Sequence, residues 1–105
     1  MKKVFRLQIY IKGTVQGVGF RPFIYKLAIE NNLQGWVKNT TEGVEIEIEG
    51  EEKALKNFIN LINMEIPPLA RIDKIVYNNI PVKGDTGFRI KKSSVSKNTN
   101  AIIPP

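Results

Sequence analysis

Two glycines and an arginine, Gly17, Gly19 and Arg21, lie close together in the segment Thr14-Val-Gln-Gly-Val-Gly-Phe-Arg-Pro22. Glycine has no Cβ, so backbone N–H groups can crowd around a ligand, and a guanidinium matches phosphate oxygens in a bidentate arrangement. A helix that begins here adds unpaired N–H donors and the positive end of its dipole. The segment therefore predicts a phosphate-binding cradle. A tight turn followed by an exposed cation is the alternative that the local pattern leaves open.

Motif spacing and composition exclude several kinds of site. Gly13, Gly17 and Gly19 do not have the G-x-G-x-x-G spacing, and no Gly-Lys-Ser/Thr follows, so neither a dinucleotide fingerprint nor a Walker loop is present. The chain of 105 residues has no cysteine and no histidine, which removes thiolate nucleophiles, disulfides and the commonest general base and metal ligand. We therefore expect no metal and no cofactor.

Charge is unevenly distributed along the chain, whose net charge is +6. Residues 1–38 hold seven Lys/Arg and one acidic residue, whereas residues 39–81 hold four and eight. The cradle lies in the basic part, where the local field favours a small anion. Nonspecific affinity for polyanions is the alternative. No signal peptide or long apolar run is evident, so we expect a cytoplasmic protein with no membrane partner.

Hydrophobic periodicity places these residues on a small α+β fold. Apolar and polar residues alternate over residues 4–12, and helical spacing follows from Pro22, at the first helical position, to about residue 31. The further predicted elements are strands over 35–39 and 44–49 that form a hairpin, a helix over 51–64, a strand over 71–78 and a short edge strand over 87–91. This order predicts a ferredoxin-like split βαβ sandwich, in which two helices cover one face of an antiparallel sheet. Glu42, Glu45, Glu47 and Glu49 are expected on a solvated face, and metal ligands or paired acids are the less favoured alternative.

Two segments together identify a family. Gly13-Thr-Val-Gln-Gly-Val-Gly-Phe-Arg21 and Gly35-Trp-Val-Lys-Asn-Thr40 resemble the two motifs of acylphosphatases, and the similarity extends to Phe88-Arg-Ile90. The octapeptide Arg21-Pro-Phe-Ile-Tyr-Lys-Leu-Ala28 is more similar to the N-terminal acylphosphatase-like domain of hydrogenase maturation carbamoyltransferases than to the free-standing enzymes. We expect an acylphosphatase-like domain over residues 1–92, with residues 93–105 a linker or tail toward downstream domains of the same polypeptide.

The resemblance implies a role for each site residue. Arg21 and the backbone amides of the loop hold the phosphoryl oxygens, Asn39 orients the attacking water, and the Thr40 hydroxyl supports Asn39. The loop amides are those of Gln16, Gly17, Val18, Gly19 and Phe20. Without the resemblance, Asn39 and Thr40 are ordinary turn formers.

The expected substrate is an acyl phosphate, because its carboxylate leaving group needs neither an acid nor a metal. The family context favours carbamoyl phosphate, with inorganic phosphate as a product. The first alternative is a substrate-binding or docking domain of a larger carbamoyltransferase, with little free activity. An RNA-binding ferredoxin-like module is less favoured, because Val44-Glu-Ile-Glu-Ile-Glu49 offers glutamates where such modules have aromatic residues. We therefore expect no specific nucleic-acid partner.

Overall fold

The strands and helices follow the predicted order. The computed structural model describes residues 3–93. Its elements are β1 (Val4–Thr14), α1 (Phe20–Glu30), β2 (Gln34–Asn39), β3 (Gly43–Glu51), α2 (Glu52–Met64), β4 (Arg71–Ile80) and β5 (Phe88–Ile90). Most of the predicted linker or tail, from residue 94 onward, lies outside the described residues. No helix among the described residues is long and apolar enough to cross a membrane.

The sheet has the strand order β4-β1-β3-β2-β5. The pairs of β1 with β3, β1 with β4 and β2 with β3 are antiparallel, and the predicted hairpin of β2 and β3 is confirmed. At the edge, β5 pairs with β2 in parallel, so the sheet is mixed rather than wholly antiparallel. The chain has the ferredoxin-like α+β fold that the sequence predicts.

Both helices pack on one face of the sheet. Beneath them, five inward residues of β1 and β3 are fully buried, namely Ile9, Ile11, Val44, Ile46 and Ile48, whereas Leu7 of β1 is only partly buried. From the helices, the buried residues are Phe20, Ile24, Leu27 and Ala28 of α1 and Leu55, Phe58 and Ile62 of α2. The prediction that Pro22 takes the first helical position is wrong, because α1 begins at Phe20. Pro22 still lies in the first turn, where the N–H that proline lacks has no intrahelical partner.

The opposite face of the sheet holds a buried ionic cluster made of Arg6, Glu47, Glu49 and Asp85. The Arg6 guanidinium donates to Glu47 and Glu49 at 2.9 Å and to Asp85 at 3.0 Å. Glu47 is only 6% exposed and Glu49 only 4%, so the prediction of a solvated face is wrong for both. A buried carboxylate is costly unless it is paired, and the guanidinium supplies enough donors to pair them.

Candidate functional site

The loop between β1 and α1 is anchored at both ends and open in the middle. Val15 and Phe20 are each 1% exposed, whereas the glycines between them are exposed. Gly17 has φ 74° and Gly19 has φ 79°, in the left-handed region that favours glycine. A Cβ at either position would meet nothing within 4 Å, so the conformation rather than crowding calls for glycine.

The loop presents unpaired backbone donors. Among the described residues, no protein acceptor receives a hydrogen bond from the five backbone N–H groups of residues 16–20. Gly19 precedes α1 without a side-chain cap, and the first turn of α1 carries no acidic residue. The positive end of the helix dipole therefore faces the loop without a competing carboxylate.

Arg21 lies at the start of α1 and is half-buried. Within residues 3–93, its guanidinium forms no ion pair or hydrogen bond with another residue. Lys12, near the end of β1, differs in this respect. Lys12 is 2.7 Å from Glu42, and the pKa of Glu42 is lowered by the hydrogen bond and the charge of Lys12, although both side chains are exposed. Arg21 therefore retains its charge and its donors for an anion.

Asn39 is the last residue of β2, where it pairs with Val44 of β3. Its Oδ1 is buried and lacks a hydrogen-bond partner in the part of the chain that the structure describes. Buried polar atoms are nearly always paired, so an unpaired acceptor is a place where an ordered water or a ligand is expected.

Thr40 contributes its backbone to the turn that follows β2. Its N–H donates to the Gly43 carbonyl at 2.9 Å, and its own carbonyl accepts from the side chain of Gln16 at 2.6 Å. No hydrogen bond joins its hydroxyl to the Asn39 side chain among residues 3–93. The supporting role of that hydroxyl stays a prediction.

The structure brings the two sequence motifs together at one end of the sheet, through a contact that the sequence analysis missed. Only the backbone amide of Gln16 was assigned a role, yet its side-chain amide donates both to Thr40 and to the Gly43 carbonyl, the latter at 2.8 Å. These partners lie 24 and 27 residues away along the chain. No local pattern signals a contact at that separation.

No group of three or more acidic residues that could hold a metal ion occurs among residues 3–93. The groups at this end of the sheet are instead the loop N–H donors, the Arg21 guanidinium and the buried Oδ1 of Asn39. Such a set can hold a phosphoryl group and a water side by side.

Comparison with known proteins agrees with this arrangement. The sequence model of the Acylphosphatase family matches residues 7–90, and the chain belongs to this family. An acylphosphatase from Leuconostoc mesenteroides is 35% identical over 86 residues, which cover 81% of this chain and 96% of that enzyme.

The resemblance to hydrogenase maturation carbamoyltransferases is also confirmed. The carbamoyltransferase HypF of a Synechocystis species is 41% identical over 96 residues, which cover 91% of this chain but 12% of that protein. A crystal structure of full-length HypF in a phosphate- and nucleotide-bound form superposes with a TM-score of 0.86 at 42% identity, covering 90% of this chain and 13% of that one. This chain thus spans about an eighth of its HypF relatives.

Proposed function

We propose that this chain hydrolyses the carboxyl–phosphate bond of acyl phosphates, and that its substrate is carbamoyl phosphate when it acts as a domain of a carbamoyltransferase. The observation that carries the proposal is the juxtaposition at one end of the sheet. Unpaired N–H groups of residues 16–20 and the unpaired Arg21 lie at the same end as the buried, partnerless Oδ1 of Asn39.

Each group has a role in the proposed reaction. The loop N–H groups and Arg21 bind the phosphoryl oxygens and stabilise the charge that they carry in the transition state. Asn39 accepts a hydrogen bond from a water at Oδ1 and orients a lone pair of that water toward phosphorus. Holding the two reactants in place in this way supplies much of the rate acceleration.

The bond changes balance without a protein acid or base. The water oxygen forms a bond to phosphorus, and the bond from phosphorus to the acyl oxygen breaks, leaving the electron pair on a carboxylate. Since carboxylic acids have a pKa of about 4, this carboxylate leaves unprotonated at neutral pH. The proton of the water passes to a phosphoryl oxygen of the substrate, as the family mechanism implies. Carbamoyl phosphate would yield carbamate and inorganic phosphate.

A second candidate function is favoured because this chain matches only a small part of its HypF relatives, 12% of the Synechocystis protein. In that case the chain binds the phosphorylated substrate and passes it to other domains of the same polypeptide, with little hydrolysis of its own. Both functions need the loop and Arg21, but only hydrolysis needs Asn39.

The deciding experiment measures phosphate release from acetyl, benzoyl and carbamoyl phosphate in parallel, with a chelator present and no added metal. Hydrolysis predicts release well above that of a folded Arg21→Ala control. Binding of inorganic phosphate by calorimetry, without release above that control, would favour the second function. Absence of both binding and release would contradict the cradle.

A further inference from the structure

The side chain of Gln16 connects the two segments of the proposed active site. Its Nε2 donates to the carbonyl oxygens of Thr40 and Gly43, at 2.6 and 2.8 Å. Gln16 belongs to the loop that presents N–H donors, whereas Thr40 follows Asn39 and Gly43 begins β3. The two hydrogen bonds therefore run from the segment that would hold phosphate to the segment that would hold water.

The chemistry of the partners fixes the orientation of this amide. Both partners are carbonyl oxygens, which only accept, and Nε2 carries two N–H groups, one for each. The opposite orientation would place Oε1 against two acceptors. The Gly43 carbonyl also accepts the Thr40 N–H at 2.9 Å, so Gln16 binds the pair of residues that closes the turn after β2.

Within residues 3–93, no other hydrogen bond joins the loop of residues 15–20 to residues 39–43. The loop leads into α1 while Asn39 ends β2, so the two halves of the site belong to different elements. With phosphate and water bound as proposed above, the two hydrogen bonds of Gln16 would tie these halves together and set the distance from phosphorus to the attacking water. An error of about 1 Å in such a distance can reduce the rate on the order of 100-fold.

We propose that Gln16 is a positioning residue, whose side chain holds the loop at a fixed distance from Asn39. The kinetic consequence of this tie rests on the proposed hydrolysis, whereas the tie itself can be measured without a substrate. Because Gln16 is exposed, its loss removes little buried contact, and the variant is expected to fold.

Gln16→Met tests the proposal, because it keeps the length of the side chain and the backbone N–H but removes both donors. The matched control is Gln34→Met, which removes the hydrogen bond from Gln34 Nε2 to the Asn32 carbonyl, 3.2 Å long and also exposed. We expect kcat for acyl phosphates to fall about 10- to 100-fold in Gln16→Met. The dissociation constant for inorganic phosphate should stay within about threefold, since the cradle groups are unchanged, and the control should match the parent in both.

The second measurement is backbone ¹⁵N relaxation of the free protein. In Gln16→Met, order parameters of residues 16–20 and 40–43 should fall from about 0.85 toward about 0.6, and in the control they should not. Unchanged order in both segments would overturn the proposal, as would loss of phosphate affinity in proportion to kcat. If the parent hydrolyses no acyl phosphate, the proposed function fails, yet loosening of both segments would still establish the tie.

Discussion

At the scale of single residues, Arg21 is the most direct test of phosphate binding. Its guanidinium has no protein partner within residues 3–93, so its loss should weaken phosphate binding without destabilising the fold. We expect Arg21→Ala to lower kcat/KM about 10²- to 10³-fold or more and to abolish measurable binding of inorganic phosphate. Steady-state rates and calorimetry measure both effects.

Arg21→Lys serves as the charge-matched comparison. It keeps the positive charge but cannot form the two parallel hydrogen bonds of a guanidinium, so recovery should be poor. Parent-like turnover by a folded Arg21→Ala protein would contradict the assignment of Arg21 to the phosphate site.

Substitutions of Asn39 distinguish the positioning of the water from the binding of phosphate. In Asn39→Ala we expect kcat to fall about 100-fold or more, with the affinity for inorganic phosphate close to that of the parent, because the loop donors are unchanged. In Asn39→Asp an anion would stand near the phosphoryl group, so both affinity and turnover should fall.

Phosphate titrations beside steady-state rates distinguish these patterns. If Asn39→Ala lost phosphate affinity as severely as Arg21→Ala, the water-positioning role would be contradicted. The unpaired Oδ1 of Asn39 fits this role, and no sequence pattern could have revealed it, since the burial of one atom depends on tertiary packing and not on local periodicity.

At the scale of elements, the sequence predicted those strands and helices whose apolar residues recur at a regular spacing. β1 and α2 were found because their apolar residues recur at spacings of two and of three to four. The strand over Gly43–Glu51 alternates just as clearly, yet the prediction that Glu47 and Glu49 face solvent was wrong. Alternation reveals which residues share a face but not what covers that face, and here the segment after β4 returns to it.

That segment binds Glu49 through two backbone groups. The N–H of Lys83 donates to Glu49 at 2.8 Å and that of Gly84 at 3.0 Å, beside the Arg6 guanidinium. Burial alone would raise the pKa of Glu49, but the hydrogen bonds from Lys83, Arg6 and Gly84 outweigh it and hold the pKa below its ordinary value. The ionised carboxylate therefore stabilises the folded chain.

The pH dependence follows from the direction of that shift. Because the folded pKa is lower than the unfolded one, this stabilisation is complete above the ordinary glutamate pKa of about 4.3 and is lost as pH falls through the folded value. We expect Glu49→Gln to lower the free energy of unfolding by about 1.5–3 kcal/mol at pH 7 and to reduce its decline in acid. Urea denaturation between pH 7 and pH 3 measures both.

Glu52→Gln is the control at the surface. Glu52 pairs with Lys56 at 3.4 Å while about two-thirds exposed, so its loss should change the free energy of unfolding by less than about 1 kcal/mol. An equal effect of the two substitutions would mean that the buried cluster contributes no more than a surface pair.

At the scale of the whole molecule, the connectivity determines where the site lies. β1 and β2 both finish at the end of the sheet where β3 and β4 begin, as their antiparallel registers require. The sequence predicted this order of elements, and the family resemblance assigned roles to residues in the loop after β1 and at the end of β2. The parallel pairing of β5 was not predictable, because three residues carry too little pattern to fix a partner.

The boundary of the domain is the remaining prediction at this scale. The buried core lies between Ile9 and Phe88, and every helix and strand that the structure describes lies within residues 4–90. Deleting residues 94–105 should therefore leave the melting temperature within about 3 °C of the parent and phosphate release unchanged.

A chain ending at Gly87 is the comparison, because it loses β5 and the side chain of Phe88, which is 6% exposed. Losing a buried phenylalanine costs about 3–5 kcal/mol, enough to lower the melting temperature by roughly 12 °C or more. Thermal unfolding followed by circular dichroism compares the three chains, and a large decrease in the chain ending at Ser93 would place part of the stable domain beyond that residue.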